Sequence, residues 1–548
     1  MMKQVRDPLY GYIDIESKFI PLIDSAEFQR LRNIRQTGYA ALYPSALHNR
    51  FVHSIGVFYL GKKAFKQFRK NVENQFNKIT GSMWDIWEET FELACLLHDI
   101  GHSPFSHTGE EFYNQSTDFQ EAFKNLIKDD ELSADVTKGF GKPHEAMSAL
   151  VGYKLVKNSK ESFSFNEDLF VRAIIGVTYN ENHENALILN TIIQMLNGSV
   201  IDVDKLDYLI RDSYVTGYNS MAIDVDRLLA SYTIAKYVSE DNAEKLVPTY
   251  KKGALSVVEN VAYANDLERR WIQSNPTVLY DCKLIEMAIK KYSQFMQDTY
   301  PSLEQYKNVF NEQSISKEGY PKDAQINLRL LSDDDIISYL KNYDKSEISE
   351  QYFSRDKRYK PLWKSEAEYN EVVKGELGTR ILREFKSELR TQTSSVQAGF
   401  FLNENEYLQR KRQYEEALKT PRGGNIDSRK QALKQSLRIY SLFRKFSNQN
   451  GLEFKFAVIC ANYFESNYKK MAVNDIYVEV AKNRVIKLGK TLAVQAITST
   501  EEEQQGLFYI YTARNNFQKA NEAGKNISSL LIQFIHVHWD DEPEDIDV

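Results

Sequence analysis

The segment from Trp84 to His107 joins a mostly apolar, helix-forming run to a cluster of histidines. Within ten residues, from His98 to His107, the chain carries three histidines and an aspartate. Six of the nine histidines precede residue 145, whereas solvated surface histidines would be spread more evenly. Imidazole and carboxylate groups bind divalent transition metals, and imidazole also exchanges protons near neutral pH. The pattern therefore predicts a helix whose C-terminal end meets a reaction centre.

The rest of the chain also favours a mainly α fold. Apolar residues recur at spacings of three and four in most segments, and glycine (24) and proline (12) are sparse for 548 residues. We therefore predict helical segments at positions 28–34, 84–98, 144–157, 169–175, 192–196, 202–212 and 253–300.

The second half of the chain mixes helix and strand patterns. The run from Lys419 to Asn425 contains a proline and two glycines and predicts a loop, after which a basic helix runs from Ser428 to Phe446. Alternating apolar residues predict three strands, the first two forming a hairpin that turns near Lys482 and Asn483. These strands lie at positions 475–480, 484–488 and 507–512.

Composition limits the environment and the partners. A net charge of −6 gives no general attraction to nucleic acid or anionic lipid, so a polyanionic ligand needs a local basic pocket. Cys95, Cys282 and Cys460 lie far apart without CxxC spacing, which argues against a disulfide framework and fits a reducing compartment. No window approaches the roughly 20 apolar residues of a membrane span, and the first residues lack the apolar core of a signal peptide. We expect a cytoplasmic protein with no membrane association.

The histidine cluster needs ligands from elsewhere in the chain to hold a metal. His98 and Asp99 are adjacent, so on a helix their side chains would diverge by about 100 degrees. His53 and Asp204 are the candidates that would complete a set of two histidines and two carboxylates, with positions left open for water and substrate. Taken singly, each has an ordinary alternative, a hydrogen-bonded core histidine or a solvated aspartate.

Together, His53, the His98-Asp99 doublet and Asp204 resemble the ordered H…HD…D pattern of the HD superfamily of metal-dependent phosphohydrolases. Residues 28–57 and 201–212 are similar to signatures of HD-domain deoxynucleoside triphosphate (dNTP) triphosphohydrolases. The most similar branch contains the animal enzyme with a sterile alpha motif and its bacterial relatives. We expect this chain to lack that motif, because the catalytic signature begins near residue 6.

The resemblance implies an HD-domain helical core with a smaller α+β C-terminal lobe. It places the HD phosphohydrolase domain at residues 1–300, a helical and irregular extension at 301–425, and the lobe, with short β segments and an acidic tail, at 426–548. It also implies one divalent metal (Mg, Mn, Fe, Co or Zn) per site. The implied metal ligands are His53, His98, Asp99 and Asp204.

Three further histidines are implied to line the triphosphate. His102 lies four residues after His98, so we expect it on the same helix face, and Pro104 should end that helix and put His107 on the following turn. His144 is the candidate general acid that protonates the leaving nucleoside oxygen. The alternatives are support of the metal ligands for His102 and His107, and a helix-start position for His144.

Cationic and sugar-facing positions complete the implied site. Arg50 and Lys205 match phosphate contacts, while Arg211 is either a phosphate ligand or a structural ion-pair partner. Tyr208 and Asp212 share a helix face with Asp204. The matching positions of the family contact the deoxyribose of the substrate, although Tyr208 could also serve only in helix packing. Gln36 matches a position near the sugar and base.

The reaction implied is hydrolysis of a dNTP to the deoxynucleoside and inorganic triphosphate. Another HD phosphohydrolase activity, on nucleotides, cyclic nucleotides or single-stranded nucleic acid, is the nearest alternative. Relatives form dimers or tetramers and several are activated by nucleotides, so we expect a homo-oligomer, from dimer to hexamer, with a nucleotide effector. The sequence leaves the biological role open between dNTP pool control, mutation avoidance and phage defence.

Nucleic-acid binding is a third hypothesis for the function. The second half carries a basic stripe with Tyr440 and Phe443 interleaved, which could bind single-stranded nucleic acid or effector phosphates, although a solvated helix face is the more ordinary explanation. The stripe consists of Arg410, Lys411, Arg412, Arg422, Arg429, Lys430, Lys434, Arg438, Arg444 and Lys445.

Overall fold

The computed structural model describes most of the chain, and the residues it describes fall into two compact units. One unit is built from residues 1–272, 289–339 and 465–502, and the other from 273–288, 340–464 and 503–548. These bounds differ from the three segments expected from the sequence. The described residues are 2–113, 132, 135, 142–199, 201–218, 223–306, 309–373, 399–419, 424–460, 476–482, 484–491, 508–539 and 541.

The first unit is mainly helical, as predicted. Its long helices begin at side chains that accept a hydrogen bond from the first turn: Asn49 caps α3, Thr80 caps α4 and Asp202 caps α8. The helices are α1 (Ile20–Ile23), α2 (Ala26–Arg30), α3 (Arg50–Val72), α4 (Gly81–Leu97), α5 (Pro143–Lys157), α6 (Glu167–Ile175), α7 (Ala186–Leu196), α8 (Val203–Thr216), α9 (Val225–Ser231) and α10 (Leu255–Glu268).

Helix α3 runs through the centre of this unit. It packs against α4 and α8, and α6 packs against both α4 and α5. Phe58, Phe65 and Phe68 of α3 are fully buried, and Trp84 of α4 closes over Phe65 and Phe68 at 6.2 and 6.4 Å between ring centroids. These aromatic side chains form the core between α3 and α4.

Two small sheets complete the first unit. Strands β1 (Met2–Asp7) and β2 (Gly11–Glu16) form an antiparallel hairpin. Strands β3 (Tyr232–Val238) and β4 (Glu244–Tyr250) form a second hairpin, which the sequence analysis did not anticipate. The predicted hairpin is present as β8 (Tyr477–Ala481) and β9 (Arg484–Lys487), and its turn residue Asn483 lies outside the described residues. It pairs in parallel with β4 through Thr249 and Tyr477, so it joins the first unit rather than the C-terminal segment.

The second unit is an α+β structure around an aromatic core. Its antiparallel sheet has the order β5-β10-β7-β6, formed by Lys360–Pro361, Phe508–Thr512, Lys455–Cys460 and Gly399–Asn403, and β10 is the predicted third strand. The predicted basic helix lies within α17. The remaining helices of the chain, two of which are shared between the units, are α11 (Pro276–Thr299), α12 (Glu312–Ile315), α13 (Asp333–Asn342), α14 (Glu347–Phe353), α15 (Glu366–Val372), α16 (Glu404–Lys419), α17 (Gly424–Gln449), α18 (Arg514–Glu522) and α19 (Ile527–His538).

Some predictions fall outside what is described. The centre of the predicted loop, residues 420–423, and the acidic tail at 540 and 542–548 lie outside the described residues. Among the described helices, none is long and apolar enough to cross a membrane.

Candidate metal and phosphate site

The structure brings the four predicted metal ligands together from three helices. His53 lies in the first turn of α3, His98 and Asp99 directly follow α4, and Asp204 lies in the first turn of α8. His53 Nε2 is 3.4 Å from Asp99 Oδ2 and 2.9 Å from Asp204 Oδ1. His98 Nε2 is 3.4 Å from Asp99 Oδ1 and 3.7 Å from Asp204 Oδ1. The Nε2 atoms of His53 and His98 and a carboxylate oxygen of Asp99 all lie within 4.8 Å of one another, close enough to hold one metal ion, and Asp204 Oδ1 lies beside both imidazoles.

The hydrogen bonding of the two histidines fits a metal site. The Nδ1 of His53 is 2.7 Å from Asp207 Oδ2, and the Nδ1 of His98 is 2.9 Å from the carbonyl oxygen of Cys95. Neither Nε2 atom has a hydrogen bond of good geometry among the residues that the structure describes. Metal-binding histidines typically use one ring nitrogen for the ion and the other for such an orienting contact. The donor set therefore fits a divalent cation.

The electrostatics of the set also suit a cation. Burial alone would raise the pKa of Asp99, but the Arg50 guanidinium and the imidazoles of His98 and His102 hold it well below its usual range. Asp99 is therefore ionised at neutral pH.

Asp207, which the sequence analysis did not single out, orients His53. Its carboxylate is fully buried and also accepts hydrogen bonds from the Tyr10 hydroxyl (2.8 Å) and from Arg211 Nε and Nη2 (2.9 Å each). Arg211 Nη1 also donates to Asp7 at 3.0 Å. The guanidinium is thus engaged by two carboxylates, and these contacts favour the ion-pair reading of Arg211 over the phosphate-ligand reading. The only local signal for Asp207 was its place one turn after Asp204.

The helix that leads to the histidine cluster is shorter than predicted. Helix α4 ends at Leu97, so His102 does not share a helix face with His98, and that prediction was wrong. The backbone leaves the helical pattern because Arg30 binds the carbonyl oxygens of Ile100 and His102, while Gly101 N–H donates to Ser148 Oγ at 2.9 Å. His102 still reaches the site through turns, and its Nε2 is 3.2 Å from Asp99 Oδ1.

A second cluster of three histidines adjoins the metal ligands. The rings of His102 and His144 stack at 4.0 Å between centroids, and His107 lies 5.2 Å from each. Glu110 bridges two of them: its Oε1 is 2.6 Å from His144 Nδ1 and its Oε2 is 2.9 Å from His107 Nδ1. Burial opposes ionisation of Glu110, but these hydrogen bonds hold its pKa far below its usual range. The sequence analysis missed Glu110, for which three-residue spacing from His107 was the only signal.

The two predicted phosphate cations differ in their surroundings. Arg50 is buried and donates from Nη1 to Asp99 Oδ2 at 2.7 Å and from Nε to Ser106 Oγ at 2.9 Å. Lys205 donates to the carbonyl oxygen of Gly198 at 2.9 Å and to Asp202. Arg50 therefore lies against the metal ligands, whereas the Lys205 ammonium is bound to the cap of its own helix.

The predicted sugar-facing residues lie on the same side of α8 as Asp204. The Tyr208 hydroxyl accepts a hydrogen bond from Asn265 Nδ2 at 3.2 Å. Asp212 is buried, with its Oδ1 2.7 Å from His48 Nε2, and burial raises its pKa to about 7. Gln36 is also buried, and its Oε1 has no hydrogen-bond partner among the described residues.

The basic stripe of the second half is partly neutralised. Arg444 binds Glu404 through both Nε and Nη2, at 3.0 and 2.9 Å. Lys445 is 3.4 Å from Asp541, and the Arg438 guanidinium lies 5.1 Å from the Trp539 ring centroid. Arg422 lies outside the described residues. These contacts favour the reading of a structural helix face.

Comparison with known proteins defines the class of this domain. The family model of the HD domain matches residues 50–209, which contain all four candidate metal ligands. Residues 50–209 therefore match the HD domain family.

Individual relatives are similar to parts of this chain. An uncharacterised protein of Methanocaldococcus jannaschii is 31% identical over 291 residues, which is 53% of this chain and 50% of that protein. A Dictyostelium discoideum protein named as a deoxynucleoside triphosphate triphosphohydrolase SAMHD1 homolog is 30% identical over 232 residues, 41% of this chain and 39% of the relative. The chain thus matches about half or less of the length of these relatives.

A solved structure extends the likeness in fold. A phosphohydrolase from Bacteroides thetaiotaomicron covers 93% of this chain with a TM-score of 0.55 at 18% identity. The likeness therefore extends over both compact units.

Proposed function

We propose that this protein hydrolyses dNTPs to a deoxynucleoside and inorganic triphosphate. The observation that carries the proposal is the contact between the metal-ligand set and the histidine cluster, made where His102 Nε2 lies 3.2 Å from Asp99 Oδ1. A phosphate bound at the ligand set would therefore meet His102, His107 and His144. The similarity to relatives named as dNTP triphosphohydrolases supports the choice of substrate.

The candidate metal ligands are His53, His98, Asp99 and Asp204. A divalent cation held there would lower the pKa of a bound water and polarise the phosphate. The protein's part is to fix the imidazoles, since Asp207 and the Cys95 carbonyl oxygen hold the Nδ1 atoms and leave both Nε2 atoms directed at the site.

Charge neutralisation falls mainly to Arg50. A triphosphate carries about four negative charges, and charge-assisted hydrogen bonds from a guanidinium are well suited to it. Besides the N–H groups bound to Asp99, Ser106 and the carbonyl oxygen of Gln36, the Arg50 guanidinium has two further N–H groups. Lys205 would join only if its ammonium turned away from Asp202.

His144 is the residue proposed to protonate the 5′-oxygen of the leaving nucleoside. Its Nδ1 faces Glu110, so Nε2 is the atom that can deliver the proton. The Glu110 carboxylate stabilises the charged imidazolium before transfer, as a carboxylate partner does for other catalytic histidines. The same carboxylate aligns His107.

Selection for deoxyribose is proposed to come from Tyr208 and Asp212. Asp212 would accept a hydrogen bond from the 3′-hydroxyl, and Tyr208, held by Asn265, would pack where a 2′-hydroxyl would project. Gln36 brings an unpaired buried amide oxygen to the same side. A buried acceptor of this kind gains by meeting a ligand donor.

The proposal is tested with purified protein, each dNTP and each NTP, singly and mixed, in the presence of Mg²⁺, Mn²⁺ or Co²⁺. Wild type should consume dNTPs, and the double variant His98→Ala/Asp99→Ala should not. His144→Ala should lower kcat at least a hundredfold, because general acid catalysis typically contributes 10²–10⁴-fold. His536→Ala, at an exposed histidine of α19, is the matched control and should be unchanged.

The outcome also separates the alternative HD activities. Turnover of cyclic nucleotides or single-stranded nucleic acid, with no turnover of dNTPs, would replace the proposal by a phosphodiesterase. If the double variant still hydrolysed dNTPs, the assignment of His98 and Asp99 as ligands of a catalytic metal would be wrong.

A further inference from the structure

The loop that follows the HD doublet has an unfavourable backbone. Phe105 and Ser106 have φ angles of 57° and 54°, in the left-handed region that residues other than glycine rarely adopt. Such a conformation persists only where the surrounding contacts over-determine it. Since both residues lie between His102 and His107, whatever holds this loop also shapes the phosphate side of the site.

Asp333 supplies the main contacts that hold the loop. This residue is the first of α13 and is buried. Its Oδ1 accepts from the Phe105 N–H at 2.6 Å, and its Oδ2 accepts from the Arg35 N–H at 3.0 Å. One carboxylate thus joins the strained loop to the segment that precedes α3.

Arg30 makes the neighbouring contact. Its Nη1 donates to the carbonyl oxygen of Leu331 at 2.7 Å, and its Nη2 donates to the carbonyl oxygens of Ile100 and His102 at 2.9 and 2.8 Å. The side chain is buried, so each of these bonds is costly to lose. The segment from Leu331 to Asp333 is therefore bonded to both ends of the histidine loop.

The loop also constrains Arg50, the proposed phosphate ligand. Ser106 donates its hydroxyl to the carbonyl oxygen of Arg35 and accepts from Arg50 Nε at 2.9 Å. Arg50 in turn donates to Asp99 Oδ2 at 2.7 Å. The orientation of the guanidinium therefore depends on a serine hydroxyl, whose position depends on the backbone that Asp333 holds.

We propose that Asp333, assisted by Arg30, is a positioning residue that sets Arg50 for phosphate through Ser106. The proposal rests on the proposed function in taking Arg50 as a phosphate ligand. It gives a segment more than 220 residues beyond the HD doublet an indirect part in turnover. It also separates phosphate alignment from metal binding, because among the described residues Asp333 bonds the Phe105 and Arg35 N–H groups and none of the four metal ligands.

The test compares Asp333→Asn with Asp334→Asn, its exposed neighbour on α13. Asparagine keeps one acceptor and sets an NH₂ group against a backbone N–H, so one of the two bonds is lost. We expect kcat/KM for the dNTP to fall at least tenfold in Asp333→Asn, with unchanged metal content. Asp334→Asn should stay within twofold of wild type.

A double-variant cycle with Ser106→Ala distinguishes positioning from general support. If Asp333 acts through Ser106, the double variant should lose little more than the worse single variant. Losses that multiply, or an Asp333→Asn variant within twofold of wild type, would overturn the proposal. If Asp333→Asn does not fold, Arg30→Lys is tested in its place. An unchanged kcat/KM in Arg30→Lys would then also overturn the proposal.

The same variants are assayed with bis(p-nitrophenyl) phosphate and Mn²⁺. If wild type cleaves this diester but no dNTP, the proposed function fails, and the variant ratios on the diester still decide the role of Asp333.

Discussion

Gly56 is the position where one added methyl group tests the support of the metal site. A Cβ on Gly56 would lie 2.0 Å from Asp207 Oδ1, 2.5 Å from Arg211 Nη2 and 2.8 Å from Asp207 Cγ. Asp207 is fully buried, so its carboxylate must leave its present place. Gly56→Ala should therefore break the Asp207 contacts to His53, Tyr10 and Arg211 together.

The size of the effect follows from what is lost. Breaking one partner of a buried ion pair costs about 3–5 kcal/mol, and the added alanine returns at most about 1 kcal/mol of helix propensity. We expect the free energy of unfolding to fall by about 2–4 kcal/mol. Loss of the carboxylate that orients His53 should weaken metal binding about 10–100-fold.

The assay pairs denaturant unfolding with metal titration of the apo protein. The control is Gly81→Ala at the first residue of α4, where an added Cβ has no atom within 4 Å. This control should be neutral or slightly stabilising. A Gly56→Ala protein with wild-type metal affinity and an unfolding free energy within about 0.5 kcal/mol of wild type would refute the argued role of Asp207.

Three further predictions concern other groups. Glu110→Gln should lower kcat at least tenfold with normal metal content, because His144 and His107 lose the carboxylate on their Nδ1 atoms; steady-state kinetics and metal analysis check this. Tyr208→Ala should narrow the discrimination between dNTP and NTP at least fivefold, measured by competition between dGTP and GTP. Burial raises the pKa of Glu92 from 4.5 to about 7, so the folded protein holds that proton more tightly than the unfolded chain. The unfolding free energy should therefore fall by up to about 3 kcal/mol between pH 4.5 and 7, and Glu92→Gln should abolish this part of the decline in denaturant titrations at pH 5 and 8.

The sequence predicted the parts of the fold that have a local signal. Helical periodicity located α4 and α8, and alternation located the hairpin of β8 and β9. The parallel pairing of β8 with β4 joins residues more than 200 positions apart, and the sequence of neither strand indicates its partner. This pairing placed the hairpin in the first unit, which the linear order of the chain did not suggest.

Some residues of the candidate site could be predicted from the sequence, and others could not. His53, His98, Asp99 and Asp204 could be named because metal chemistry restricts their residue types and the family pattern restricts their order. Their supports could not be found from sequence, since an aspartate or glutamate that binds a backbone N–H or an imidazole has no distinctive neighbours. The end of α4 at Leu97 was equally hidden, because it depends on Arg30, which lies 70 positions before Ile100.

In the proposed reaction, water attacks the α-phosphorus, the deoxynucleoside leaves through its 5′-oxygen, and the triphosphate stays intact. The most direct measurement is ³¹P NMR of the products from a dNTP hydrolysed in H₂¹⁸O with the best-supporting metal. The account predicts a deoxynucleoside and tripolyphosphate, with ¹⁸O in a terminal phosphate of the tripolyphosphate. Orthophosphate, pyrophosphate or a deoxynucleoside monophosphate as the first product would contradict it.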